Sequence, residues 1–236
     1  MEKRKGKGLW QKMALSGAAA AIVYSLHVII GGALWDGYSH VRQTISELTG
    51  NGAPDAGMLK IFTVIYGILA LVFSVSVYML FLKYKVHKWA LTGAALLILM
   101  EFTSLVGYNL FPLEDGGAVL TAGNLMHLAV TAIVALSAIG AIFAISFGLL
   151  KTEYFRSIGM LSLFCAVVVT ISGIATPVVL NNGMAIAGLV ERINIFTLQL
   201  WLFALSLFLF NAKLPKKSAL DLERMGLIDV YRQSGR

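Results

Sequence analysis

The sequence predicts an all-α fold: a polytopic bundle of six transmembrane helices, with both termini cytoplasmic and a polar cavity facing outward. Three observations carry this reading. Six apolar runs, at roughly 13–34, 58–82, 89–111, 124–150, 157–180 and 186–210, are each about 22–27 residues long. That length crosses a hydrocarbon core of about 30 Å as a helix. The composition is 58% hydrophobic and only 13% charged, about half the charge of an ordinary soluble domain. Finally, the 19 lysines and arginines sort to one side of the runs. All but Arg42, Lys60 and Arg192 precede the first run, follow the sixth, or sit in the links after the second and fourth. The positive-inside rule places those regions in the cytoplasm and leaves three external loops.

The runs and their short links nearly exhaust the chain, so residues 1–212 read as one transmembrane domain and 213–236 as a cytoplasmic amphipathic tail. The expected location is the cell (plasma) membrane, as a multi-pass protein. The net charge of +7 is accounted for by anchoring against anionic lipid, at about 1 kcal/mol per basic residue near the surface. No nucleic-acid partner is expected, because no soluble domain is left to carry one. The single cysteine, Cys165, falls inside the fifth run, which excludes an internal disulfide and any multi-cysteine metal site.

The first run follows a basic stretch, as a signal peptide would. Met13 to Leu34 is too long for a signal h-region and ends in no small-x-small cleavage site, so it reads as a retained helix carrying Tyr24 and His27 in its outer half. The first external loop, Trp35 to Gly57, is the longest. The link after the second run, KYKVHK, is short and basic, and its His87 reads as solvated. In the third run Glu101, Ser104 and Tyr108 follow helical spacing. The second external loop runs from Phe111 to Gly123. In the fourth run Asn124, His127 and Thr131 share a face; in the fifth Thr170, Gly173 and Thr176 do, with a kink expected at Pro177. In the sixth Glu191, Asn194 and Trp201 recur at helical spacing. In the tail, Ser218 and Asp221 resemble a helix cap, and Leu220, Leu222, Met225, Leu227 and Ile228 would lie on the membrane surface. The stripes within the runs gather in the outer halves of their helices. The outer face carries Asp36, Glu47, Asp55, Glu114, Asp115 and Glu191 against Arg42, Lys60 and Arg192.

Several residues stand out chemically. Glu101 lies about 18 Å from the cytoplasmic end of its helix, near the midplane, where a carboxyl must be paired, hydrated or protonated. It reads either as a proton, cation or catalytic site at the cavity floor, or as a structural carboxyl bonded to Ser, Thr or Tyr neighbours. His40, Asp115 and His127 are the candidate ligands for a zinc-like divalent metal, since imidazole and carboxylate suit it; the histidines meet only if the loops fold together. Ser46 and Glu47 are the candidates to assist a metal-activated water. Arg192 reads either as a binder of a phosphate or carboxylate headgroup or as the structural partner of Glu47 or Asp115, the latter preferred. Glu191, beside it, points about 100° away.

Tyr38-Ser39-His40 leading into Thr44-Ile45-Ser46-Glu47-Leu48, then Phe111-Pro112 with Asp115, His127, and Gly188 with Glu191-Arg192, resemble the signature of the bacterial and archaeal "domain of unknown function 998" membrane proteins. The resemblance spans roughly residues 10–212, and that family is similar in outline to the Frag/DRAM/Sfk membrane proteins. It implies a six-helix membrane protein with no established reaction, and it supports His40, Ser46, Glu47, Asp115, His127, Glu191 and Arg192 as one outer-face constellation. Glu114-Asp115 is doubled here.

The function expected first is recognition or handling of a lipid or small amphiphile through the outward-open pocket, with His40, Glu101, Asp115, His127, Glu191 and Arg192 binding it and membrane lipids as partners. A metal-dependent intramembrane lipid hydrolase, a proton- or cation-coupled transporter using Glu101, and an assembly partner packing through Gly17, Gly93 and Gly140 are the alternatives. The last would make the protein a homo-oligomer or a subunit.

Overall fold

The computed structural model describes residues 7–114, 117 and 119–212. They form seven α-helices: α1 (Leu9–Met13), α2 (Ser16–Leu34), α3 (Ala56–Lys83), α4 (Lys88–Leu110), α5 (Ala122–Leu149), α6 (Arg156–Asn181) and α7 (Ala187–Asn211). Among the described residues there is no strand; two 3-10 turns, Ser46–Thr49 and Glu153–Phe155, complete the elements. With α1 and α2 forming one span, six helical spans are long and apolar enough to cross a bilayer. This is a multi-pass membrane protein. The tail beyond residue 212 and Asp115 lie outside the described residues.

Each helix packs on its chain neighbour, and α7 closes back on α2, so the six spans make a ring in sequence order. One end, here the linker end, holds the short links 84–87 and 150–155 together with Lys7 and Ala212. The other, the loop end, holds the connections 35–55, 111–121 and 182–186. The spans match the apolar runs to within a few residues. The exception is the first, which begins earlier, as the separate turn α1. The break at Ala14–Leu15 is stabilised from across the ring: Ser206 Oγ donates to the Ala14 carbonyl at 2.7 Å and accepts from the Ala18 N–H at 3.0 Å. Gln11 in turn donates to the Phe210 and Ala212 carbonyls at the end of α7, satisfying acceptors that a helix terminus leaves unpaired.

Local chemistry sets the other ends. His87, expected to be solvated, instead caps α4 by accepting the Trp89 N–H at 3.3 Å. Thr121 caps α5 by accepting from Asn124 N–H. α6 runs on through Pro177 and stops at Gly183, whose φ of 63° lets Met184 N–H reach back to the Val179 carbonyl.

In hydrocarbon, helices associate by close packing rather than by escaping water, so small residues decide where they touch. A Cβ on Gly93 would lie 2.6 Å from the Ile145 amide nitrogen, one on Gly107 2.6 Å from Val130, and one on Gly148 would collide with the Ala90 backbone. These contacts press α4 onto α5 over their whole length. Gly17 packs on Phe73 and Gly140 on Leu96. All three glycines considered for assembly therefore serve contacts within the chain. The linker half of the ring is filled by a continuous core that includes Phe73, Phe81, Leu97, Ile145, Phe155 and Trp201. Trp201 Nε1 donates to Ser162 Oγ at 2.9 Å. Cys165 belongs to the same core.

Candidate functional site

Three connections cover the loop end. The first is bound to the start of α7 over about 150 residues of sequence. The Gly188 and Leu189 N–H groups donate to the Arg42 and Val41 carbonyls, so the loop satisfies the orphan donors of that helix N-terminus. Arg192 donates to the Gln43 carbonyl (2.8 Å), the Gly188 carbonyl (2.9 Å) and the Tyr38 hydroxyl (2.7 Å). The Tyr38 hydroxyl in turn donates to the Thr44 carbonyl at 2.6 Å, and Glu191 Oε2 accepts from the Ile45 N–H at 2.6 Å. A Cβ on Gly188 would strike the Gln43 carbonyl, so this clamp requires glycine there. Arg192 thus ties the first loop to α7, though not through the carboxylate salt bridge preferred from sequence. Its partners are carbonyls and a phenol rather than the Glu47 carboxylate. Burial pushes the Tyr38 phenol up to about 12, against the pull of the Arg192 hydrogen bond, which keeps it a donor.

Glu47 folds its own loop: its carboxylate accepts from Thr44 N–H (2.8 Å), Thr44 Oγ1 (3.0 Å) and Gln43 Nε2 (3.2 Å). The second connection is tied to the first through Asn51 N–H and the Leu113 carbonyl at 2.7 Å. Asn124 holds it to α5 by bonding both the N–H and the carbonyl of Glu114, and Thr121 donates to the Glu114 carboxylate.

Beneath these loops is a pocket of about 480 Å³ to which all six spans contribute, a size ordinary for a small-molecule site. Most of its wall is apolar. Polar groups gather toward the loop end: Ser46 and Thr49 from the first loop, Lys60 and Thr63 of α3, Tyr108 and Asn109 of α4, His127 and Thr131 of α5, and Glu191 of α7. Deeper lie Tyr24, His27, Tyr66 and Gln199. His127 Nδ1 is 2.8 Å from the Phe111 carbonyl; a carbonyl only accepts, so Nδ1 carries the proton and Nε2 is the basic nitrogen of the neutral ring. Glu191 accepts from Ile45 on one oxygen, and no described residue bonds the other. Lys60 forms no ion pair with a described residue.

The sequence stripes largely meet here. Tyr24, His27, Ser104, Tyr108, His127, Thr131, Gly173, Thr176, Glu191 and Asn194 all line the pocket. Asn124 holds the second loop instead, and Trp201 sits in the core. Glu101 does not line the pocket. It is 0% exposed, with neither carboxylate oxygen in a hydrogen bond. Its polar neighbour is Tyr66, which accepts from Gln199 Nε2 at 3.1 Å and stands on the pocket wall. Of the two readings of Glu101, the carboxyl has the tyrosine neighbour of the structural one, and Tyr66 rather than Glu101 lines the pocket. His27 is likewise buried with both ring nitrogens unpartnered, edge-on to Tyr24.

His40 lies outside the pocket. It is exposed, edge-on to Tyr38 and against Gly32, and burial with the nearby Arg192 charge holds its imidazole below the usual range. The loops therefore do not bring His40 and His127 onto one site. Among the described residues no three His, Cys, Asp or Glu side chains converge in a metal-ligating group. Sequence reading missed Lys60, Thr63 and Tyr66 as a set, although they recur every third residue along α3, and it missed Gln199.

A family model described as "Protein of unknown function (DUF998)" matches residues 18–207. No curated protein and no solved structure matches the chain.

Proposed function

The chain belongs to the DUF998 family, and on that premise we propose that it binds a membrane lipid or small amphiphile in the pocket of its loop end. One observation carries the reading: a single pocket inside a membrane-spanning ring joins a long apolar wall to a rim that holds Lys60, His127, Glu191 and Ser46. That division matches a molecule with a tail and a head. We take the loop end as the external face and the linker end as cytoplasmic, because Lys83, Lys85, Lys88, Lys151 and Arg156 cluster at the latter, and we place the protein in the cell membrane.

The test is binding of defined lipids to purified protein, followed by native mass spectrometry. His127→Leu and Lys60→Met are expected to weaken binding about tenfold each, Lys60→Met with unchanged melting temperature. Binding equal to wild type in both variants removes the proposal.

Glu101 supports a second reading, coupling to protons or cations, since a carboxyl buried in a membrane interior with no ion-pair partner among the described residues is a functional candidate by default. Transport by a Glu101→Gln variant with wild-type pH dependence eliminates it.

A further inference from the structure

α5 changes character along its length. From Ser137 to Leu149 most of its residues are buried, but between Ala122 and Leu136 only Asn124, His127 and Val130 are. These three face α4 and the second loop: Val130 packs on Gly107, His127 meets Tyr108 and the Phe111 carbonyl, and Asn124 holds Glu114. In the same half of the ring α6 buries only Ser172 and Val179. The specific contacts that join α5 to α6 lie at the linker end, where Ser146 Oγ donates to the Gly159 carbonyl at 2.8 Å and Gly159 packs on Leu150. Toward the loop end α6 is instead held to α7, by Asn194 bonding the Val169 carbonyl and Ser172 Oγ.

The two helices therefore part toward the loop end, and the pocket opens through the gap. Leu128, Ala132 and Ala135 of α5, and Pro177 and Leu180 of α6, are all exposed and line the pocket at the same time, as residues at an opening do. Leu128 is 54% and Leu180 47% exposed. In a bilayer this opening faces hydrocarbon, not water. At the polar end of the same pocket, among the described residues, Lys60 has no carboxylate partner and one oxygen of Glu191 has no hydrogen bond. A cation and a carboxylate thus line one cavity without pairing with each other.

We infer that a zwitterionic phospholipid enters this pocket sideways from the bilayer between α5 and α6, its acyl chain remaining in the slot and its phosphate and amine meeting Lys60 and Glu191. This rests on the proposed lipid-binding function and adds to it the route and the headgroup class. A water-soluble amphiphile would have to come through the loops instead. The amine would be held by the carboxylate and the phosphate by the ammonium, a match that neither an anionic nor a purely cationic headgroup makes with both.

The experiment uses the full-length protein in nanodiscs containing phosphatidylethanolamine with a photoactivatable diazirine on one acyl chain. Labelled residues are mapped by mass spectrometry. Wild-type protein is expected to be labelled at Ala132, Ala135 and Pro177, with unlabelled phosphatidylethanolamine competing about tenfold better than phosphatidylglycerol. Ala132→Trp and Ala135→Trp, whose side chains already reach the surface, are expected to cut that labelling about tenfold. Ala129→Trp, exposed on α5 but away from the pocket, should not. Lys60→Met and Glu191→Gln should level the headgroup preference. If the slot variants label like wild type and only Thr49→Trp, at the loop mouth, blocks access, the sideways route is overturned while lipid binding stands. Equal competition by phosphatidylglycerol in wild type overturns the headgroup assignment. No saturable labelling of any pocket residue overturns both this inference and the function beneath it.

Discussion

The two halves of α5 share an apolar composition and behave in opposite ways. The linker half is wedged between α4 and α6, with Gly148 against the Ala90 backbone and Ser146 bonded to Gly159. The loop half leans on α4 alone and turns Thr131, Ala132 and Ala135 to a pocket. One half is built for rigidity and the other for access. What separates them is where small residues and hydroxyls find partners, not how hydrophobic they are. Lipid can solvate either half, so only shape-specific contacts tell them apart.

That contrast breaks most visibly at glycine. Gly148→Leu drives a side chain into the Ala90 backbone and is expected to destabilise by about 3 kcal/mol or more. At Gly173 an added Cβ would meet nothing closer than the Asn194 side chain, at 3.2 Å. Gly173→Ala, in the loop half of the neighbouring α6, should therefore change stability by less than about 1 kcal/mol, against about 2 kcal/mol or more for Gly148→Ala. Thermal melting in detergent compares them; equal losses would mean the two halves are equally packed.

The next largest effect is expected at the clamp over the open half. Arg192→Ala removes three hydrogen bonds and takes the charged donor from the Gln43 carbonyl, while Tyr38 keeps its bond to the Thr44 carbonyl, an expected loss of about 2 kcal/mol. Limited proteolysis should then cut the 35–55 connection, with Arg192→Lys giving little rescue because one ammonium cannot reproduce the forked geometry. A protease-resistant Arg192→Ala protein would show that the loop is held by other means.

A finer comparison sets hydroxyl against hydroxyl. Ser146→Ala, which strips a buried bond to α6, is expected to lose about 1 kcal/mol, and Thr131→Val, which gives up a longer, exposed bond from the Tyr108 hydroxyl, about 0.5 kcal/mol. The reverse order would contradict the division drawn along α5.

The smallest effect concerns pH. Because the Tyr38 phenol is raised above its unfolded value, its contribution is complete below about 10 and is lost as pH rises from about 10 through 12. Melting curves over that interval should show wild type declining more steeply than Tyr38→Phe. Parallel declines would show that Tyr38 is not buried as described.

The spans were legible because hydropathy and helix length are local properties, and the polar stripes were legible because helical spacing fixes a shared face. Most stripe residues accordingly line one pocket. Glu101 shows the limit: spacing put it in line with Ser104 and Tyr108, but whether the Tyr66 ring stands between it and the cavity depends on the rotation of α3 against α4. The role of Arg192 was legible in kind and not in partner, since its hydrogen bonds run to backbone carbonyls that carry no sequence signal. The parting of α5 from α6 was invisible for the same reason. Leu128 and Leu180 read as lipid-facing or core-facing alike until a neighbour is missing. Asp115 and the tail lie outside the described residues, and the structure bears on none of the expectations placed on them.

Because the spans stand around the ring in chain order, biosynthesis lays the wall down one panel at a time, each new helix meeting the one before it. Until α7 arrives the structure is a trough, open along the side where α2 and α6 await a neighbour. The final span then does four things at once. It closes the ring on α2, repairs the break at Ala14 through Ser206, draws the first loop down through Glu191 and Arg192, and supplies Gln199 to Tyr66. A nascent chain stopped before residue 187 would hold five spans and no enclosed site, so whatever the pocket binds can be bound only once α7 has been made.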